Sequence, residues 1–202
     1  MTESSVTSKV PWIAGLALVS FSACAGGSTG ESAPAEDVTS RAAVEEKMIL
    51  TSSAFSHETN IPTVHTCDDR DDSPALSWGD VPGKTASFAL IMDDPDAPPG
   101  TWVHWILYDL PSDRRELAES LAKTERPEGG GVHGACWGVD NFDRVGYHGP
   151  CPPPGPPHRY YFKLYALDST LNLAPGATKS EVMAAMEGHV LAEAVLMGRY
   201  QR

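Results

Sequence analysis

The chain of 202 residues suits one domain plus an extension, and an apolar content of 41% is enough for one ordinary core. Its formal net charge is −12, and loss of the residues before Cys24 removes one Glu and one Lys and leaves that charge unchanged. A surface this acidic, with no basic groove in the sequence, repels nucleic-acid phosphates and anionic lipid, so nucleic-acid binding is excluded.

Residues Pro11–Ala23 form a short apolar run, too short to span a bilayer comfortably and suited to the core of a signal peptide. Ser22 and Ala23 stand just before Cys24. The arrangement resembles a bacterial lipobox, which implies cleavage before Cys24 and a lipid on its sulfur. Residues 1–23 are therefore read as a signal peptide. Residues 24–46, rich in Gly, Ser, Ala, Thr and acids over Ala25–Thr39, are read as a flexible tether. The expected location is the bacterial cell envelope, lipid-anchored and facing the periplasm or the cell surface. Four cysteines occur: Cys24, Cys67, Cys136 and Cys151. Export permits a disulfide. Cys67–Cys151 is the first pairing and Cys136–Cys151 the second, and the sequence leaves the choice open. No CxxC spacing occurs, which disfavours a structural zinc site.

The ordered domain is expected over 47–202. Lys47–Ser53 is a short strand, and Glu58–Cys67, with Pro62, an edge strand or loop. Asp68–Ser73 (DDRDDS) reads as a solvated acidic turn, since it lacks the Gly and terminal Glu of a helix–loop–helix calcium site. Thr85–Met92 is a strong strand, with Phe88, Leu90 and Met92 on one face and Ser87, Ala89 and Ile91 on the other. Neither face is polar throughout, so the strand should be central. Two prolines and three acids end it at Asp93–Pro98. Trp102–Asp109 is the next strand and carries His104. Asp113–Ala122 is expected as a short helix, and Glu128–Gly146 as irregular chain anchored by Trp137 and Phe142.

Gly149–Asp168 reads GPCPPPGPPHRYYFKLYALD. A rigid proline loop runs straight into a strand and presents His158 and Tyr160 at its edge. Along that strand Tyr160, Phe162, Leu164 and Ala166 face one way, and Tyr161, Lys163, Tyr165 and Leu167 the other. Thr178-Lys179-Ser180-Glu181 has the form of a capping box opening a helix to about Glu187. A second short helix is expected over His189–Met197, with Val182, Met186, Val190 and Leu196 forming one apolar stripe. Strands first and helices last, without βαβ alternation, indicate a β-rich α+β domain.

Three motifs stand in order: DPDAP (Asp94–Pro98), the pair His104-Trp105, and GPCPPPG…HRYYFKLYALD (Gly149–Asp168). With the TCDD…SPALSW segment (Thr66–Trp78) and the tail Met186–Tyr200, this resembles the phosphatidylethanolamine-binding protein or Raf kinase inhibitor-like family, in its bacterial and archaeal branch. The resemblance implies a central antiparallel Greek-key β-sandwich with short C-terminal helices and a small anion pocket. It assigns to the pocket Asp94, His104, Gly149, Pro150, Pro152, Pro153, His158 and Tyr160. Asp96 would order the loop, and Tyr147 is a candidate wall residue.

These residue types suit an anion. Both histidines can donate, more strongly when protonated, and the Tyr160 hydroxyl donates too. Asp94 fits if it holds a histidine as imidazolium or accepts from an amine or hydroxyl on the ligand. A lone histidine on a strand more often serves structure; it is the motifs in order that favour a pocket. The reading is a non-catalytic binding protein for a phosphate, a phospholipid head group or a phosphorylated ligand, one that modulates a protein partner, with no cofactor. Two alternatives stand beside it. One is a metal-assisted hydrolase built on the acids and histidines, although no HExxH pair or GxSxG elbow occurs. The other is an inhibitor of kinases or proteases.

Overall fold

The computed structural model describes residues 47–138 and 144–202, all within the unit Ala43–Arg202. The expected signal segment, Cys24, the tether and Phe142 lie outside the described residues. In chain order the strands are β1 (Ile49–Ser52), β2 (Leu76–Gly79), β3 (Ser87–Asp94), β4 (Trp102–Pro111), β5 (Glu116–Leu117), β6 (Val132–His133), β7 (Ala135–Cys136), β8 (Arg144–Val145), β9 (His158–Leu167) and β10 (Val190–Tyr200). Among the described residues one α-helix, α1 (Lys179–Met186), lies between β9 and β10, and one 3-10 turn covers Thr63–His65.

The strands form antiparallel sheets. The largest has the order β10-β9-β3-β4-β6, a second has β1-β2-β5, and β7 pairs with β8. β3 sits at the centre and is buried along its whole length. Phe88, Leu90 and Met92 pack with Phe162 and Leu164 of β9 and with Leu50 and Trp78 of the second sheet. Ala89 and Ile91 face the other way, toward Tyr165, Leu167 and the α1 residues Val182 and Met186. The alternation expected for β3 and β9 is therefore the alternation observed, because each face has its own core to fill.

The capping box at Thr178 and Glu181 is present, and α1 ends at Met186. Beyond it the expectation of a second helix is overturned. Val190–Tyr200 is a strand paired with β9 from Leu167 to His158. The residues Ala192, Ala194 and Leu196 favour helix only weakly against a ladder of that length. The proposed apolar stripe splits accordingly: Val182 and Met186 serve one core, Leu196 the other, and Val190 is exposed. Asp113–Ala122 is likewise no helix. It forms β5 and turns, tied down where Ser120 N and Leu121 N donate to the carbonyl and hydroxyl of Ser73. Glu58–Cys67 is loop with the one 3-10 turn.

Among the described residues no helix is long and apolar enough to cross a membrane. Cys67 and Cys151 form a disulfide, the first of the two pairings open in the sequence. Cys136 is buried, and its thiol donates to Gly146 O at 3.1 Å.

Candidate functional site

The end of β3, the start of β9 and the proline loop meet around a cavity of about 170 Å³. Asp94 continues the face of Phe88, Leu90 and Met92, and His158 and Tyr160 continue the face of Phe162. All three thus project from one side of the sheet at one end. β4 reaches the same place through a bulge. Met92 pairs with Trp105 and Asp93 with Val103, so β4 carries one extra residue, His104. The bulge re-aims the strand and brings both His104 and Trp102 to the cavity wall.

The ring nitrogens of both histidines are set by their outer partners. His158 Nδ1 lies 2.7 Å from Asp94 Oδ2, a carboxylate oxygen that can only accept, so this nitrogen carries the hydrogen. His104 Nδ1 lies 2.7 Å from the His148 carbonyl and donates for the same reason. In each ring Nε2 is the nitrogen left for the cavity. Burial, more than offsetting the His148 carbonyl and the Asp94 charge, pushes the His104 pKa down to about 4. His104 is therefore neutral near pH 7, so protonation does not strengthen it as a donor there. Asp94 Oδ1 accepts from Asp96 N at 2.8 Å, so both its oxygens have protein partners. Holding His158, rather than receiving a ligand amine, is the role this geometry favours. Asp96 in turn takes Arg159 N, Nε and Nη2 at 2.7–2.9 Å and ties the DPDAP turn to β9.

Tyr160 is wholly buried, yet its hydroxyl has no hydrogen-bond partner among the described residues. Burial, and then the nearby Asp94 carboxylate, raise its pKa above the ordinary phenol range. The group stays protonated, its oxygen shut off from solvent in the cavity wall with the Asp94 carboxylate beside it.

Of the residues assigned by the sequence, Asp94, His104, Pro152, Pro153, His158 and Tyr160 line the cavity. Gly149 and Pro150 do not. They are buried at the root of the loop, where Pro150 O accepts from Cys67 N at 3.1 Å. A Cβ on Gly149 would stand 2.1 Å from the His65 carbonyl oxygen, which explains the glycine by close approach of two backbones. Tyr147 is not a wall residue either: its buried hydroxyl donates to His65 O at 2.6 Å.

Sequence reasoning missed the aromatic wall. Trp137 meets Trp102, His104 and His148 at ring-centroid distances of 5.9, 5.5 and 5.6 Å. Trp137 holds φ +72°, a left-handed conformation unusual for a bulky residue and kept by the pair of hydrogen bonds between Trp137–Gly138 and Val103. Spacing two residues from His104 was the available signal for Trp102. Asp71, within the supposedly solvated turn, was also missed. Its Oδ1 accepts from Gly149 N at 2.6 Å, and its Oδ2 accepts from Lys123 Nζ at 2.6 Å. Burial works to raise the Asp71 pKa, but bonds from His148, Lys123 and Gly149 N outweigh it and hold the carboxyl below its usual range. Among the described residues no three or more His, Cys, Asp or Glu side chains are gathered so as to hold a metal ion.

The family model for phosphatidylethanolamine-binding protein matches residues 51–201. The chain belongs to the phosphatidylethanolamine-binding protein family. A family relative in Methanothermobacter thermautotrophicus, a UPF0098 protein, is 48% identical over 155 residues, 77% of this chain and 99% of that one. Another, from Aquifex aeolicus, is 50% identical over 157 residues, 77% of this chain and 89% of the relative. Two solved structures agree in fold. A phosphatidylethanolamine-binding protein homolog of Chlamydia trachomatis superposes with a TM-score of 0.66 at 39% identity, covering 78% of this chain and 99% of its own. YbcL of E. coli, a member of the mammalian family, gives 0.69 at 28% identity, covering 77% and 99%.

Proposed function

We propose that this protein binds a small anion, a phosphate or the phosphorylated end of a larger ligand, and releases it unchanged. The observation that carries the reading is the Tyr160 hydroxyl, buried and protonated in the cavity wall beside Asp94 without a hydrogen bond of good geometry. A buried donor left without an acceptor costs about 1–3 kcal/mol, a cost a ligand oxygen would remove. His158 is held from behind, its Nδ1–H on the Asp94 carboxylate at 2.7 Å, which leaves Nε2 for the ligand. The proline loop and the tryptophans supply walls that need no ordering on binding. Occupancy of the cavity is then what a protein partner would sense.

The domain is taken as 47–202, its two larger sheets a Greek-key sandwich as in the family, held by residues 24–46 to a lipid on Cys24 in the cell envelope after removal of residues 1–23. The Cys67–Cys151 disulfide favours an oxidising compartment. Mass spectrometry of the membrane fraction, with Cys24→Ser as control, tests the anchor; an unmodified, full-length N-terminus would rule it out.

The binding reading is tested by following backbone amide resonances during a phosphate titration. Saturable shifts centred on Asp94, His104, His158 and Tyr160 are expected. No saturable shift at these residues would overturn the reading.

A further inference from the structure

The Cys67–Cys151 disulfide sits among contacts that hold its two flanks together without it. Cys67 N donates to Pro150 O at 3.1 Å, Gly149 N to Asp71 Oδ1 at 2.6 Å, and the Tyr147 hydroxyl to His65 O at 2.6 Å. Residues 65–71 and 147–150 are thus joined by hydrogen bonds whether or not the sulfurs are bonded. What the disulfide adds is a hold on the next stretch, residues 151–157, of which 153–157 are exposed.

The two sulfurs differ in their surroundings. Arg202 Nη1 lies 4.0 Å from Cys151 Sγ, and the same guanidinium is steadied by Asp68, with Nη2 3.0 Å from Asp68 Oδ1. Asp68 also accepts from the Tyr200 hydroxyl at 2.6 Å, and Gly155 N donates to Arg202 O at 3.3 Å. The segment after β10 is therefore laid across the disulfide. Cys67, by contrast, is followed directly by the acids Asp68 and Asp69. A cation beside one sulfur favours negative charge there, and a sulfur that bears charge well leaves well. Both cysteines are half-buried rather than sealed in a core.

We propose that this disulfide is a reversible thiol–disulfide exchange site, attacked at Cys67 and leaving from Cys151, whose opening frees residues 151–157 while the domain stays folded. The co-reactant is a dithiol. One of its sulfurs, as thiolate, attacks Cys67 Sγ and forms a mixed disulfide there. The bond between Cys67 and Cys151 breaks, and its electron pair stays on Cys151 Sγ beside Arg202. The second thiol of the reagent then loses its proton and attacks its own sulfur in the mixed disulfide. Cys67 leaves with the electron pair and takes up the proton. The reagent becomes a disulfide and the protein a dithiol, a transfer of two electrons. The hydrogen bonds between the flanks keep the two thiols close, so an oxidant can close the bond again. The exchange involves no cavity ligand, so it stands apart from the anion reading.

The direction of attack is read with a monothiol. The folded protein is treated briefly with 2-mercaptoethanol, quenched in acid, and its free thiols and adducts are mapped by peptide mass spectrometry. The adduct is expected on Cys67 in about threefold excess over Cys151, falling to a near-even split in Arg202→Gln, which keeps the length of the side chain and removes its charge. An even split or an excess on Cys151 in the wild type, or an excess unchanged in Arg202→Gln, would overturn the assignment. Reversibility is read from backbone amide spectra of the protein opened with dithiothreitol. Shifts confined to residues 65–72, 147–157 and 199–202, undone on reoxidation with oxidised glutathione, are expected. Resistance of the folded protein to excess dithiothreitol, or collapse of the whole spectrum on reduction, would make the bond a plain structural cross-link and overturn the proposal.

Discussion

Replacing Gly149 by alanine perturbs the root of the site without touching the cavity. The added Cβ would lie 2.1 Å from His65 O and 2.9 Å from Asp71 Oδ1. An ordinary carbon–oxygen contact is about 3.3 Å, so the loop must retreat by about 1 Å. Two costs follow. Overpacking against backbone typically costs about 1–3 kcal/mol. Weakening the bond from Gly149 N to the Asp71 carboxylate costs about 1.5–3 kcal/mol more, the range for hydrogen bonds to charged groups. Together they predict a loss of about 2.5–6 kcal/mol, a large share of the ~5–15 kcal/mol of a typical domain. The same retreat carries away the His148 carbonyl, so His104 loses the partner that fixes its tautomer. Urea unfolding under oxidising conditions gives the stability, and phosphate titration the function. A loss below about 1 kcal/mol with unchanged phosphate affinity would refute the claim that the close approach at Gly149 sets the loop.

Three further expectations concern parts of the structure that hold the site. Removing the disulfide with Cys67→Ala and Cys151→Ala frees a loop of 84 residues and should cost up to about 4.5 kcal/mol on the chain-entropy model; a melting temperature unchanged from wild type would contradict it. Asp71 has a folded pKa below its unfolded value of about 3.8, so the stability it contributes is full above that value and is lost as pH falls through the lower folded one. Asp71→Asn should therefore flatten the acid limb of a stability–pH curve below about pH 4, and an identical limb would count against the network. Thr178→Ala removes half of the capping box and should cost about 1 kcal/mol by denaturant unfolding, with phosphate affinity unaffected.

Much of this was legible in the residues. β3 and β9 declared their two faces because each face fills a separate core, and Thr178 with Glu181 announced α1. The motif residues that line the cavity were named by the family resemblance, and the structure carries Asp94, His104 and His158 at matching ends of adjacent strands. What stayed hidden depended on long-range partners. Val190–Tyr200 has helix-favouring residues and a helical spacing of apolar positions, and only pairing with β9 makes it a strand. The bulge at His104 has no glycine or proline to mark it, so the arrival of Trp102 at the wall could not be read. Asp71 looked like one acid among several in a polar turn. Its role comes from Gly149, which is distant in sequence and whose own importance was attributed to the ligand.

The central claim is that the cavity's buried hydroxyl exists for an anion, and Tyr160→Phe isolates it, since the substitution removes one oxygen and keeps the ring. Unfolding and phosphate titration on the same preparation should show stability unchanged or slightly raised, because a buried donor without a hydrogen bond of good geometry is gone, together with phosphate affinity at least about tenfold weaker. Full phosphate affinity in Tyr160→Phe, or a clear loss of its stability, would contradict the account.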